Sequence, residues 1–395
     1  MNFLKKRLNT HFKTCLALGL FASIAVAAES ATSENPLDTF GLKKLYPTAP
    51  GTLEWNSAHW ANGNPRSFNW STDPDDPYKW TDNRSAGSAD PFFKIDGEGV
   101  LQMMSSGPRF HINSQQGEKK QFFKNVEWTG YYRRGEASES GPDYGGMVVG
   151  VRSGALGHGS GGGNNCDANT YYARFRHDGK WDFEKEWKHP GSYYQSMGTM
   201  GKQTPLWGGK RLEADRWIGM KFVVFNQTET TVKLELYIDS ISGGVPEKAK
   251  WEKVDEAVDD GKTWSGADKG AATVDGCKEY NGVEDAYAAI LQGGGMVLIR
   301  TDGTQNNVVQ AEYKYVTVRE IDPFATFAPA DTSASTEPTE PADPQDPNEN
   351  PESIRKYFGS QQAGTNHPST KAHQFDAKGR TPDKKAKLRK FVKQQ

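Results

Sequence analysis

Short apolar segments alternating with polar residues recur along most of the chain, and almost no long stretch repeats with a period of 3.6 residues. Within residues 231–239, Val232, Leu234, Leu236 and Ile238 point one way; Lys233, Glu235, Tyr237 and Asp239 point the other. The first set is predicted to face a core. Across residues 144–153 the apolar face is Met147, Val149 and Val151, with Gly146, Gly150 and Arg152 expected opposite. Trp217–Asn226 is apolar almost throughout, as befits a strand buried in mid-sheet. Met296–Asp302 and residues 308–321 read as the closing strands. Many short strands with abundant Gly, Trp and Tyr predict an all-β domain, a β-jelly-roll sandwich of two antiparallel sheets with a concave groove.

The stretch 170–188 reads as a hairpin turning at His177-Asp178-Gly179. A two-residue Asp-Gly turn would set Phe175 opposite Asp182 and Arg174 opposite Phe183. A three-residue loop with Gly179 in the left-handed region pairs like with like. Phe175 then meets Trp181 and Ala173 meets Phe183 on one face; Arg174 meets Asp182 and Tyr172 meets Glu184 on the other. Cross-strand chemistry favours this second register. The non-core face then presents Tyr172, Arg174, Arg176, Asp182, Glu184 and Glu186. It is either an ion-paired outer surface or the floor of a ligand groove, joined in that case by Arg152.

The flanks differ from this domain. Lys5, Lys6, Arg7 and Lys13 precede an apolar run from Cys15 to Ala27 and a small-residue site around Ala28, the pattern of a cleavable export signal over residues 1–28. That run is too short to span a bilayer, and no other stretch approaches a spanning length. A secreted protein is therefore expected, extracellular or periplasmic. Cys166 and Cys277 remain, and in an exported domain they are expected to form a disulfide. The jelly roll is assigned to residues 29–324. Residues 325–352 carry acids and prolines and no base, which predicts an extended linker; residues 353–395 form a basic tail with too few apolar residues to fold alone. The formal charge of −2 for the whole chain becomes −6 without the four signal cations. An anionic ligand would therefore need a local cationic groove, since the field of the whole domain is mildly negative.

The segments Asn125-Val126-Glu127-Trp128-Thr129-Gly130-Tyr131, Val148-Val149-Gly150-Val151-Arg152 and Tyr171-Tyr172-Ala173-Arg174-Phe175-Arg176 resemble, in order and character, the jelly-roll polysaccharide lyases of the alginate-lyase type. The family's Gln-x-His pair falls around Val151-Arg152-Ser153, where neither residue occurs. Its catalytic tyrosine falls at Arg176 and its lysine at Tyr172, so the resemblance implies a shared architecture with a rebuilt catalytic set. The chain also resembles secreted jelly-roll proteins bearing Arg216-Trp217-Ile218-Gly219 and a Lys185-Glu186…His189…Gly191 pattern.

Cleaving a uronate polymer by β-elimination needs a cation to neutralise the carboxylate, a base for the C5 proton and an acid for the departing oxygen. Arg152 and Arg174 suit the first role, because a guanidinium fork matches a carboxylate. Tyr172 suits proton transfer if a neighbouring arginine lowers its pKa. His189 titrates in a useful range, and Lys185 could act as a base, although its facing puts it on the core side. Arg176, Glu184, Glu186, Trp187, Tyr193 and Tyr194 are candidate substrate contacts. A non-catalytic carbohydrate-binding module accounts for the same residues without turnover. Hydrolysis by paired carboxylates is less well matched, because the arginines opposite would occupy Asp182, Glu184 and Glu186. No cofactor is expected; the glycine-rich loop 154–165, with His158, has too few acids to define a calcium site. The expected partner is an acidic polysaccharide, not nucleic acid, and the protein is expected to be a monomer.

Overall fold

The computed structural model describes residues 31–32, 34–68, 73–76, 81–85, 93–104, 108–113, 123–135, 145–154, 169–187, 192–195, 203–261, 266–267, 288–302 and 309–328. The first strands along the chain are short: β1 (Ala31–Thr32), β2 (Trp55–Asn56), β3 (Arg66–Phe68), β4 (Thr81–Ser85), β5 (Phe93–Ile95) and β6 (Leu101–Met104). Then come β7 (Pro108–Asn113), β8 (Val126–Arg134), β9 (Gly146–Ser153), β10 (Thr170–Arg176), β11 (Trp181–Glu186) and β12 (Ser192–Gln195). The C-terminal half adds β13 (Trp217–Asn226), β14 (Val232–Asp239), β15 (Glu252–Asp259) and β16 (Gly266–Ala267). The last are β17 (Met296–Asp302), β18 (Val309–Glu320) and β19 (Thr326–Phe327).

These strands build a β-jelly-roll sandwich of two antiparallel sheets. One sheet has eight strands in the order β16-β12-β11-β10-β9-β17-β7-β4; the other has nine, eight of them in the order β15-β14-β13-β8-β18-β6-β5-β3 and β2 as the ninth. Strand β2 adds to β18 outside that path, and β1 and β19 form a separate parallel pair. The strands expected to close the domain, β17 and β18, lie in the interior of the two sheets.

The core fills the space between the sheets. Met147, Val149 and Val151 of β9, Ala173 and Phe175 of β10 and Val297 and Ile299 of β17 meet Ile218, Met220, Phe222 and Val224 of β13 and Val232, Leu234, Leu236 and Ile238 of β14. Phe183 and Phe222 stack across the gap with centroids 6.1 Å apart. Burying these side chains supplies the main driving force for the fold. Period-two alternation puts them inside, as their sequence pattern predicts.

The hairpin β10–β11 takes the three-residue-loop register. Phe175 pairs with Trp181, Ala173 with Phe183, Arg174 with Asp182 and Tyr172 with Glu184. Gly179 has φ +81°, and a Cβ there would lie 2.9 Å from the Leu206 nitrogen, so the turn needs glycine on both counts. Chain contacts divide the protein into Met1–Ala330 and Asp331–Gln395, and no residue of the second unit is among those described.

Candidate functional site

The outer face of the eight-stranded sheet carries charge where an outer face could carry anything. Register places His111, Leu298, Gly150, Tyr172 and Glu184 in one row across β7, β17, β9, β10 and β11. The next row holds Arg109, Arg300, Val148, Arg174 and Asp182. Cations and the histidine thus gather on the β7–β17 side, and carboxylates on β11. Val148, Leu298 and Tyr172 form a small apolar cluster at the centre, apart from the main core.

Tyr172 is the hub. Its ring lies against Gly150, where an added Cβ would come within 2.8 Å of Cε1. Its hydroxyl donates to Glu186 Oε2 at 3.2 Å, and the Arg300 guanidinium carbon lies 5.6 Å from the ring centroid. Burial first, then the Glu186 carboxylate, push the phenol well above the ordinary tyrosine range; Glu184 adds to this, while Arg300 and Arg109 oppose it without prevailing. The expectation that an arginine would lower this pKa is therefore corrected. Arginines do act on Tyr172, but burial and two carboxylates outweigh them, so the phenol stays protonated. Tyr172, His111, Glu184 and Glu186 are all nearly inaccessible to water.

Arg174 and Arg176 are engaged within the protein. Arg174 donates from Nε and Nη2 to Asp182 Oδ2 at 3.1 and 2.8 Å. Arg176 grips Asp178 at 3.0 and 2.8 Å, inside its own turn.

Three candidates lie on the core side. Lys185 is buried there, as its facing predicted, and donates to Asp259 Oδ2 at 2.8 Å and to the Ala288 carbonyl at 3.1 Å. Tyr171 donates to the same Asp259 oxygen at 2.6 Å. Trp187 belongs to the core cluster, its Nε1 donating to the Ala288 carbonyl at 2.7 Å, so it covers the core instead of offering a face to a sugar. Arg152 is the clearest departure. It adopts φ 57°, and the β9–β17 register shifts between Met296 and Leu298, opposite it. This bulge breaks the alternation that put Arg152 beside Tyr172. Its guanidinium instead donates to the Ile290 carbonyl at 2.6 Å and lies in the fields of Tyr171 and Glu320.

His189, His158, Cys166 and Cys277 lie outside the described residues, as does the loop 154–165 beyond Gly154. For Tyr193 and Tyr194 only the backbone is described: both are in β12, where Tyr194 pairs with Glu184. No group of His, Cys, Asp and Glu able to hold a metal ion occurs among the described residues. Likewise no described helix is long and apolar enough to cross a membrane.

Arg109, His111 and Arg300 were not singled out from the sequence. The signal was present in alternation: Phe110 and Ile112 are core, so Arg109 and His111 must face the other way, and Val297 and Ile299 do the same for Arg300.

No family model and no curated protein matches the chain. Among solved structures, similar folds include the marine PL-14 alginate lyase from Aplysia kurodai, at 10% identity and TM-score 0.34, covering 66% of this chain and 99% of that one. Arcelin-5, a lectin-like defense protein from Phaseolus vulgaris, is similar at 9% identity and TM-score 0.32, over 65% of this chain and 99% of its own. The winged bean acidic lectin has 10% identity and TM-score 0.31, over 65% and 97%. Likenesses of this size assign no activity.

Proposed function

We propose that this is an exported protein that binds an acidic, uronate-containing polysaccharide on the outer face of the eight-stranded sheet and cleaves it by β-elimination. One observation carries the reading: two arginines, Arg109 and Arg300, and two carboxylates, Glu184 and Glu186, converge on a single protonated phenol, Tyr172. A guanidinium paired with the uronate carboxylate makes the C5 proton acidic. Glu186 takes that proton, the electron pair forms the C4–C5 double bond, and the C4–O bond breaks. Tyr172 donates its proton to the departing oxygen. The proton on Glu186 then returns to the phenolate along the hydrogen bond that already joins them, restoring both groups. Burial of Tyr172, Glu184 and Glu186 strengthens these interactions.

The test is incubation of the full chain with alginate, glucuronan, ulvan and pectate, following the ultraviolet absorbance of unsaturated uronate. Absorbance should rise with one of them, and Arg300→Met should abolish the rise by weakening capture of the carboxylate. If no polymer gives a rise but one retards the protein in an affinity gel, the face is a carbohydrate-binding surface without turnover.

A further inference from the structure

Several arginines in this fold hold carboxylates by the Nε–Nη2 edge of the guanidinium. Arg66 sets Nε and Nη2 on the two oxygens of Asp73 at 2.5 and 2.7 Å. Arg174 uses the same two atoms on Asp182, and Arg176 uses them on Asp178.

Arg152 is fully buried, and that edge meets no acceptor among the described residues. Its Nη1 donates to the Ile290 carbonyl at 2.6 Å, and among the described residues neither Nε nor Nη2 has a partner. The acidic group in its field is Glu320, whose oxygens already accept the Lys124 and Asn125 backbone N–H groups at 2.8 Å each. The nearby Tyr171 hydroxyl is committed to Asp259 and to the Ile290 nitrogen, at 2.6 and 2.8 Å. Burial pulls the guanidinium down to about 10, a sign that its charge is poorly compensated where it stands.

The surrounding backbone is built around this position. Arg152 is held in the left-handed region at the β9 bulge. Gly294 packs so closely on it that an added Cβ would lie 2.0 Å from the Ser153 oxygen and 2.5 Å from the Arg152 carbonyl carbon. A strained conformation kept at a buried cation is costly twice over, and such costs persist where the surroundings or a ligand offset them.

We propose that the Nε–Nη2 edge of Arg152 is a receptor for a small carboxylate, of formate or acetate size, bound beside Ile290 and away from the Tyr172 face. Two parallel charge-assisted hydrogen bonds would complete the guanidinium as Asp73, Asp182 and Asp178 complete the other three. Water would satisfy the donors but not the charge.

The experiment is thermal melting of the full chain in rising sodium formate against sodium chloride at matched ionic strength. The melting temperature should climb saturably with formate and exceed the chloride series, because a ligand bound only by the native state stabilises it by mass action. Arg152→Lys, which keeps the charge but has no two-point edge, should lose the saturable part. A crystal structure in formate should place the anion on Nε and Nη2. Identical formate and chloride series in the wild type would overturn the proposal, even if the variant does not fold, and so would water alone on that edge.

Discussion

Tyr172 donates its hydroxyl proton to Glu186 across 3.2 Å while its ring stays packed against Val148 and Leu298. The two halves of this side chain can therefore be separated by experiment. Tyr172→Phe keeps the packed ring and removes one hydrogen bond, a loss of about 1 kcal/mol in stability. If the phenol carries the proton to the leaving oxygen, the same variant should lose about 10²–10⁴ in rate on a polymer the wild type cleaves. Urea unfolding and initial rates on one preparation make the comparison. A variant with full activity would move the chemistry off Tyr172.

Lys185 and Asp259 form an ion pair with both side chains at 0% exposure, joined by the Tyr171 hydroxyl. A buried pair broken from one side leaves a charge with nothing to balance it. Lys185→Met should cost about 3–5 kcal/mol, and adding Asp259→Leu should recover most of that loss. Activity per folded molecule should not change in the double variant, since this cluster lies on the core side. A specific loss of rate in the folded double variant would restore Lys185 as a candidate base.

Local chemistry was legible wherever the pairing was local. The hairpin register followed from matching Phe175 to Trp181 and Arg174 to Asp182, because a short loop leaves few alternatives. The same reasoning placed Tyr172, Glu184 and Glu186 on a common face. It could not bring Arg300 to them. Strand β17 pairs with both β7 and β9, which are distant in the chain, and alternation states which way a residue faces but not which strand lies beside it. Arg152 was misplaced for a different reason: alternation assumes an unbroken pleat, and one left-handed residue reverses it.

Gly150 is the position that gives the Tyr172 ring its place. An alanine methyl would sit 2.8 Å from Tyr172 Cε1 and 2.9 Å from both Leu298 Cγ and Thr170 Cγ2, closer than packed carbon atoms tolerate. Gly150→Ala should cost about 1–3 kcal/mol through overpacking. It should also tilt the ring and lengthen the 3.2 Å bond to Glu186. Cleavage, measured where the variant is fully folded, should fall toward the level of Tyr172→Phe but not below it, since misplacing the phenol cannot cost more than removing its hydroxyl. Unchanged polymer handling would show that the ring position is immaterial.

His177 and Glu320 pull the pH dependence of stability in opposite directions. Arg211 donates to His177 Nδ1 at 3.1 Å, so Nε2 carries the ring hydrogen and donates to the Tyr132 oxygen at 2.8 Å. Burial first, and then the positive fields of Arg211 and Arg134, against a weaker pull from Asp178, lower this imidazole to about 3. The unfolded chain therefore binds the proton between about pH 6.5 and 3 while the native state does not, so acidification destabilises by about 1.4 kcal/mol per pH unit in that window. Glu320 is raised to about 7 by burial, against the Asn125 and Lys124 N–H groups and the charges of Arg152 and Lys124. Here the native state keeps the proton that the unfolded state has lost, so stability is full below about pH 4.5 and declines as pH rises through 7. From about pH 4.5 to 6.5 the two slopes cancel. Glu320→Gln should unmask the histidine: urea unfolding becomes steadily easier from about pH 6.5 to 4.5, the window in which the wild type stays nearly level. A variant as level as the wild type would mean that His177 does not resist protonation in the folded protein.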